Sequence, residues 1–177
     1  LTRHSRENPD GTLFALIQLS ATEVRMYSAT HAMLVSVMCG LAAREVLKWS
    51  EEQQNSLSNA ALTMNLGMTG LQDLLTRQAE SPSPVQRRAI ETHAAKSVEM
   101  LTAMGVTDTV WLEAVRDHHT QTPGPLLSRT PAQQVARLIQ RADMFAARMA
   151  PRAGRTPIAP AAAMQACYFD ENRQVDE

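Results

Sequence analysis

Apolar residues recur along most of the chain at intervals of three and four positions, and no stretch alternates apolar and polar residues. An interval of three to four places apolar side chains on one face of an α-helix, whereas a half-buried strand requires a period of two. The helical pattern is longest over residues 22–48, 85–104 and 131–149. We therefore predict an all-α fold.

Capping and helix-breaking residues divide this pattern into separate helices. Ser50 precedes two glutamates and a glutamine, which is typical of a helix N-terminus. Ser81-Pro-Ser-Pro84 interrupts the pattern, and Thr130 with Pro131 predicts another helix start. Shorter helices are expected over residues 13–19, 71–75, 111–115 and 160–167. The sequence predicts one bundle of about six to eight helices.

A length of 177 residues suits one domain with a well-buried core. We interpret residues 1–20 as a polar lead-in, with a turn at Asn-Pro-Asp-Gly, followed by a short helix. Residues 21–177 are expected to form the main helical domain. The charged stretch 170–177 and the absence of an initial methionine favour a piece cut from a larger protein, truncated at its C-terminal end.

Charge and cysteine content limit the cellular compartments and the classes of binding partner that the sequence favours. The formal net charge is −1, so no overall field favours a nucleic acid polymer or an anionic membrane. No apolar run has the length of a membrane span, and no signal peptide is recognisable. Cys39 and Cys167 lack the spacing of a metal or redox motif, which favours free thiols in a reducing compartment. We expect a cytoplasmic protein.

Potential metal ligands are spread over the helical pattern. Imidazole and carboxylate groups bind the divalent cations that activate water for attack on phosphate esters. These ligands would have to converge from four separate segments to form one site. The candidates are His31, His93, His118, His119 and Asp143.

The same residues lie in segments that resemble the HD-GYP family of metal-dependent phosphohydrolases, which cleave cyclic di-GMP. The resemblance extends from about residue 28 to the end of the chain. Its motifs occur in the family's order and are Tyr27-Ser-Ala-Thr-His31, Ile90-Glu-Thr-His93, Val115-Arg-Asp-His-His119 and Gln140-Arg-Ala-Asp143. The resemblance implies an HD-type helical bundle with a metal site at these residues, and a phosphate-binding role for Arg152.

The chain departs from the family at the positions most important for catalysis. Residues 60–68 align with the family's HD block, so Met64 and Asn65 stand at the HD dyad, and Met68 stands at the lysine. The GYP loop is reduced to a short remnant over residues 120–126. A neutral amide cannot replace the aspartate that bridges two metal ions, so no catalytic residue is assigned.

Two interpretations of the remaining ligands stay open. The set has enough nitrogen and oxygen donors for a single divalent ion of iron, manganese or zinc. Alternatively, the same side chains form a hydrogen-bonded polar cluster without metal.

The functional hypothesis is a degenerate HD-GYP-like domain of a bacterial cyclic di-GMP signalling protein. It would be catalytically impaired and would act as a binding or regulatory module, with cyclic di-GMP or another signalling protein domain as its partner. One alternative is an active phosphohydrolase with a rearranged metal site. Another is a protein-interaction domain of the related HDOD type, although the retained His118, His119 and Asp143 are unexpected in such a domain.

Overall fold

The computed structural model describes residues 2–23, 25–121, 124–153 and 156–168. Within these ranges the regular structure is helical and contains no strand, which confirms the all-α prediction. None of the described helices combines the length and hydropathy needed to cross a bilayer. The helices are α1 (Thr2–Glu7), α2 (Pro9–Thr22), α3 (Tyr27–Leu41), α4 (Glu51–Thr63), α5 (Thr69–Arg77), α6 (Pro84–Ala103), α7 (Thr109–Asp117), α8 (Pro131–Met149) and α9 (Pro160–Tyr168).

Three of the longer helices begin with the same local motif. Ser50, Ser83 and Thr130 each accept a hydrogen bond from the backbone N–H three residues later. In each case the residue at that third position is glutamine, whose side chain bonds back to the capping residue's backbone. This capping box satisfies N–H groups that have no partner inside the helix. The helix starts predicted at Ser50 and Thr130 are therefore confirmed.

The N-terminal lead-in differs from the prediction because it is helical. Helix α1 occupies much of the segment interpreted as a polar lead-in, for which no helix was predicted. Asn8 does not open a turn but caps α2, its side chain accepting a hydrogen bond of 3.0 Å from the N–H of Gly11. Pro9 then occupies the first turn of α2, where the missing N–H has no cost.

The prediction of a single helix over residues 22–48 is wrong, because a non-helical segment separates two helices before Tyr27. Helix α2 ends at Thr22, α3 starts at Tyr27, and a π-helical turn, Ala42–Val46, follows α3. The start of α3 is stabilised by Asp73, whose Oδ1 accepts a hydrogen bond of 2.7 Å from the N–H of Ser28. Val24, one of the apolar residues of that predicted helix, lies outside the described residues.

Helix α3 is central to the core and packs against α2, α4 and α8. Helix α7 packs against α4, α6 and α8, so these elements surround one apolar interior. The fully buried side chains include Leu34, Leu57, Val115 and Ile139. His31, His93 and His118 are also buried, so helix packing encloses three of the predicted ligands.

Candidate metal site

Three of the predicted ligands form a compact cluster. Helix α6 carries His93, and His118 and His119 follow directly after the end of α7. The ligand nitrogens of these three histidines all lie within 4.8 Å of one another. His93 and His118 are buried, whereas His119 is exposed. This cluster can hold a metal ion.

Backbone carbonyl groups fix the orientation of the two buried rings. The Nδ1 atom of His93 lies 2.5 Å from the carbonyl oxygen of Ile90, and that of His118 lies 2.7 Å from the carbonyl oxygen of Val115. A carbonyl oxygen only accepts hydrogen bonds, so each Nδ1 must carry the proton and donate it. In a neutral ring the lone pair then lies on Nε2. This is the arrangement in which metal-binding histidines are usually held.

The two Nε2 atoms face each other at 3.2 Å. With both protons on Nδ1, this contact brings two lone pairs together without a hydrogen between them. Burial, assisted by the neighbouring His119, lowers the pKa of His118 to about 4, so a shared proton is disfavoured at neutral pH. Two nitrogens bound at zinc distances in a tetrahedral site would be about 3.3 Å apart. The observed separation therefore fits a bound cation.

His31 and Asp143 form a separate pair beside this cluster. The Nε2 atom of His31 lies 2.6 Å from Oδ1 of Asp143, and its Nδ1 atom lies 3.2 Å from the hydroxyl of Tyr27. The carboxylate accepts the Nε2 proton of His31. The Nδ1 atom hydrogen-bonds to the Tyr27 hydroxyl as acceptor when the ring is neutral and as donor when the ring is protonated. Both ring nitrogens of His31 are thus engaged within the protein. In this arrangement His31 has no free lone pair for a metal.

The environment keeps the Asp143 carboxyl ionised. Burial, the largest influence, raises its pKa, but the hydrogen bond and charge of His31, together with His118 and His119, bring the pKa below its ordinary value. In contrast, burial and the charge of Asp143 both raise the pKa of the Cys39 thiol. Cys39 therefore remains a protonated, packed side chain, and the negative charge at this site belongs to Asp143.

A cavity of about 200 Å³ connects the histidine cluster with the His31 and Asp143 pair. His31, His93, His119 and Asp143 all line it, and His118 lies against His93. The structure therefore brings the five predicted residues to one place but divides them into a histidine cluster and a paired histidine and aspartate. Whether each residue binds metal stays a prediction. The remaining lining residues are Tyr27, Asn65, Met68, Gln72, Leu75, Thr76, Ile90, Ala147 and Arg152.

The three residues that the resemblance aligns with the HD dyad and the lysine lie in different surroundings. Met64 is completely buried in the apolar core and does not line the cavity. Asn65 and Met68 line the cavity directly, so the amide stands among the candidate ligands. Arg152 also lines the cavity, and its guanidinium lies 6.0 Å from the centroid of the Tyr27 ring.

Two polar residues of the site had no recognisable signal in the sequence. Gln72 and Thr76 on α5 are buried and contribute to the cavity wall. The periodicity of α5 predicts an apolar face, but it does not predict that these two polar residues would lie beside the histidines. Tyr27, the first residue of the motif that contains His31, is a hydrogen-bond partner of that histidine.

Comparisons with known protein families, proteins and structures identified no relative of this chain. No family model matches the chain, and neither the curated proteins nor the solved structures contain a match. The resemblance to the HD-GYP family thus depends on the motifs alone.

Proposed function

We propose that this chain is a degenerate HD-GYP-like domain that binds one divalent metal ion through His93, His118 and His119. The observation that carries the proposal is the 3.2 Å contact between the Nε2 atoms of His93 and His118, whose other nitrogens both donate to backbone carbonyls. A bound cation would remove the lone-pair repulsion. Three imidazole donors suit zinc or iron better than manganese.

The same geometry supports impaired phosphodiester hydrolysis. A dinuclear centre needs a carboxylate that bridges both ions, and Asn65 at the corresponding position carries no charge. Asp143 is the only carboxylate among the described lining residues, and its Oδ1 accepts the hydrogen bond from His31, which leaves one oxygen rather than a bridging pair. The domain therefore acts as a binding or regulatory module of a bacterial, cytoplasmic cyclic di-GMP signalling protein. Its partner is cyclic di-GMP itself or another domain of the signalling system.

Metal content measured by elemental analysis tests the binding site. We expect about one ion per chain after loading and dialysis, because three donors converge on one point. His118→Ala should abolish this occupancy. The matched control is His4→Ala, which removes an exposed histidine on α1 and should leave occupancy unchanged. A metal-free wild-type protein, or equal loss in both variants, would contradict the proposed site and favour a hydrogen-bonded cluster.

Hydrolysis assays test the catalytic part of the proposal. We expect negligible turnover of cyclic di-GMP and of bis(p-nitrophenyl) phosphate when manganese or iron is supplied. The physical reason is that Met64 and Asn65 provide no bridging carboxylate. Robust metal-dependent turnover that disappears in His118→Ala would instead support an active phosphohydrolase with a rearranged site.

A further inference from the structure

Helix α2 carries large apolar side chains on its outer side as well as on the side that packs into the core. Leu16 is buried, and Leu13 and Ile17 pack against the core on the inner side. On the outer side, Phe14 and Leu19 are 66% and 41% exposed. A surface helix normally has a polar outer face, and a helix that is apolar on both sides is normally covered on both. The outer side of α2 therefore resembles a contact surface.

The exposed residues of α2 form one continuous outer face. Successive residues of an α-helix are about 100° apart, which places all the exposed positions of α2 within half of its circumference. Among these positions only Asp10 carries a charge, and it lies in the first turn. Charged residues are similarly scarce at the centres of protein interfaces. The outer face consists of Asp10, Phe14, Ala15, Gln18, Leu19, Ala21 and Thr22.

This outer face is complementary in shape to a second copy of itself. Phe14 and Ala21 are two helical turns apart and lie on the same side of α2. When two copies of α2 lie antiparallel about a two-fold axis beside Gln18, Phe14 of each copy is opposite Ala21 of the other. A large side chain then fits over a small one, as in the interlocking of helix surfaces. The two-fold axis makes this contact twice, because both copies use the same patch.

The charges at the two ends of the segment favour the same antiparallel direction. Asp10 lies in the first turn of α2, and Arg25 follows the end of the helix with 84% of its side chain exposed. In the antiparallel pairing, Asp10 of one copy and Arg25 of the other lie at the same end of the helix pair. A parallel pairing would instead bring like charges together, which is unfavourable.

The size of the outer face indicates a reversible association. Helix α2 has 14 residues, so it is about 21 Å long and about 10 Å wide. Two such helices bury less surface than the roughly 1,600 Å² of a standard stable interface. Interfaces below that size are typical of transient complexes. The exposed apolar area is thus sufficient for a weak dimer, and the face remains compatible with a soluble monomer at low concentration.

From these observations we propose that the outer face of α2 is a dimerisation surface, on which a second copy of this chain packs its own α2 in the antiparallel direction. Phe14 anchors each half of the interface, and Asp10 and Arg25 select the direction. None of the described residues that line the histidine cavity belongs to α2. The dimer therefore leaves that cavity uncovered by α2, and its existence does not depend on metal binding.

Sedimentation velocity of the full chain between about 1 and 200 µM tests the dimer. We expect the sedimentation coefficient to rise from the monomer value towards the dimer value, with a Kd on the order of 10–100 µM. A monomer at every concentration would overturn the proposal.

Two substitutions of exposed apolar residues locate the interface. Phe14→Ser should weaken association at least about ten-fold, because buried aromatic anchors carry much of the binding energy of an interface. Val85→Ser is the matched control, since Val85 is 80% exposed in the first turn of α6 and should not affect association. Circular dichroism should show both variants folded, because both side chains are mostly exposed. Equal weakening in both variants, or none in Phe14→Ser, would contradict an interface on α2.

Charge reversal tests the antiparallel direction. Asp10→Arg and Arg25→Asp should each weaken the dimer several-fold, because each places like charges at the ends of the helix pair. The double variant restores opposite charges and should recover the wild-type Kd, which identifies a direct coupling between the two positions. A double variant that is as weak as the single variants would contradict the antiparallel arrangement.

Lipid vesicles test a membrane as the alternative occupant of the same face. We expect no co-sedimentation with vesicles of phosphatidylcholine and phosphatidylglycerol, because the outer face carries no lysine or arginine to attract anionic lipid. Binding of monomeric protein to these vesicles that is lost in Phe14→Ser would assign the face to a lipid surface and would overturn the dimer.

Discussion

A single glycine determines how closely the turn after α4 approaches α6. A Cβ atom added at Gly67 would lie 2.6 Å from the carbonyl oxygen of His93 and 3.0 Å from the N–H nitrogen of Ser97. Both atoms belong to the helix backbone and cannot move aside easily. Gly67→Ala should therefore lower the free energy of unfolding by about 1–3 kcal/mol, measured by chemical denaturation.

Gly70 provides the matched control for this substitution. It lies three residues further on, in the first turn of α5, and an added Cβ would meet nothing within 4 Å. Gly70→Ala should be neutral or stabilise the protein by about 0.4–1 kcal/mol, because alanine restricts the unfolded chain. Equal destabilisation in both variants would mean that the close approach at Gly67 is not the cause.

The motifs of the resemblance predicted the five candidate ligands but not how they pair. The order of the motifs placed His93, His118 and His119 among the ligands, and the structure gathers their nitrogens. Nothing in the sequence indicates that the ring nitrogens of His31 would hydrogen-bond to Asp143 and Tyr27, since the aspartate is 112 positions away. Hydrogen-bond partners are chosen by side-chain orientation after the helices pack, so spacing cannot reveal them.

One serine connects the C-terminal end of α4 to α6. The hydroxyl of Ser97 is buried and accepts a hydrogen bond of 2.9 Å from the N–H of Gly67. Its single proton is shared between the carbonyl oxygens of His93 at 2.8 Å and Met64 at 3.0 Å. Ser97→Ala would leave these backbone groups without this partner and should cost about 1–3 kcal/mol in unfolding free energy. Thr92→Ala, on the exposed face of the same helix, should change stability by no more than about 0.5 kcal/mol. Similar losses in the two variants would contradict this role.

Helix starts were predicted where the signal is local and missed where it is distant. The capping boxes at Ser50 and Thr130 lie within four consecutive residues, so the sequence reveals them. The start of α3 depends on Asp73, which is 45 positions from Ser28 and becomes a neighbour only through folding. Asn8 carried a local signal, but Asn-Pro-Asp-Gly is compatible with a turn as well as with the helix cap observed.

At the scale of the whole molecule, the polar site interrupts the apolar core. His31, His93 and His118 are almost completely buried, and burial of polar groups is unfavourable unless they are paired. The His31 and Asp143 pair satisfies itself, whereas the facing Nε2 atoms of His93 and His118 do not. A metal ion would remove that unfavourable contact and would connect α6 to the end of α7.

Metal binding should consequently stabilise the entire fold. An ion that binds only the folded state adds about 2.7 kcal/mol at a free concentration one hundred times its Kd. For a protein of this size, this gain should raise the Tm by several degrees. Thermal unfolding of metal-free protein with increasing zinc should show a progressive rise in Tm. His93→Ala should abolish this rise, whereas Thr92→Ala, one residue earlier and exposed, should retain it. A zinc-dependent rise of the same size in His93→Ala would place the stabilising ion elsewhere on the protein and would leave the three histidines without a binding role.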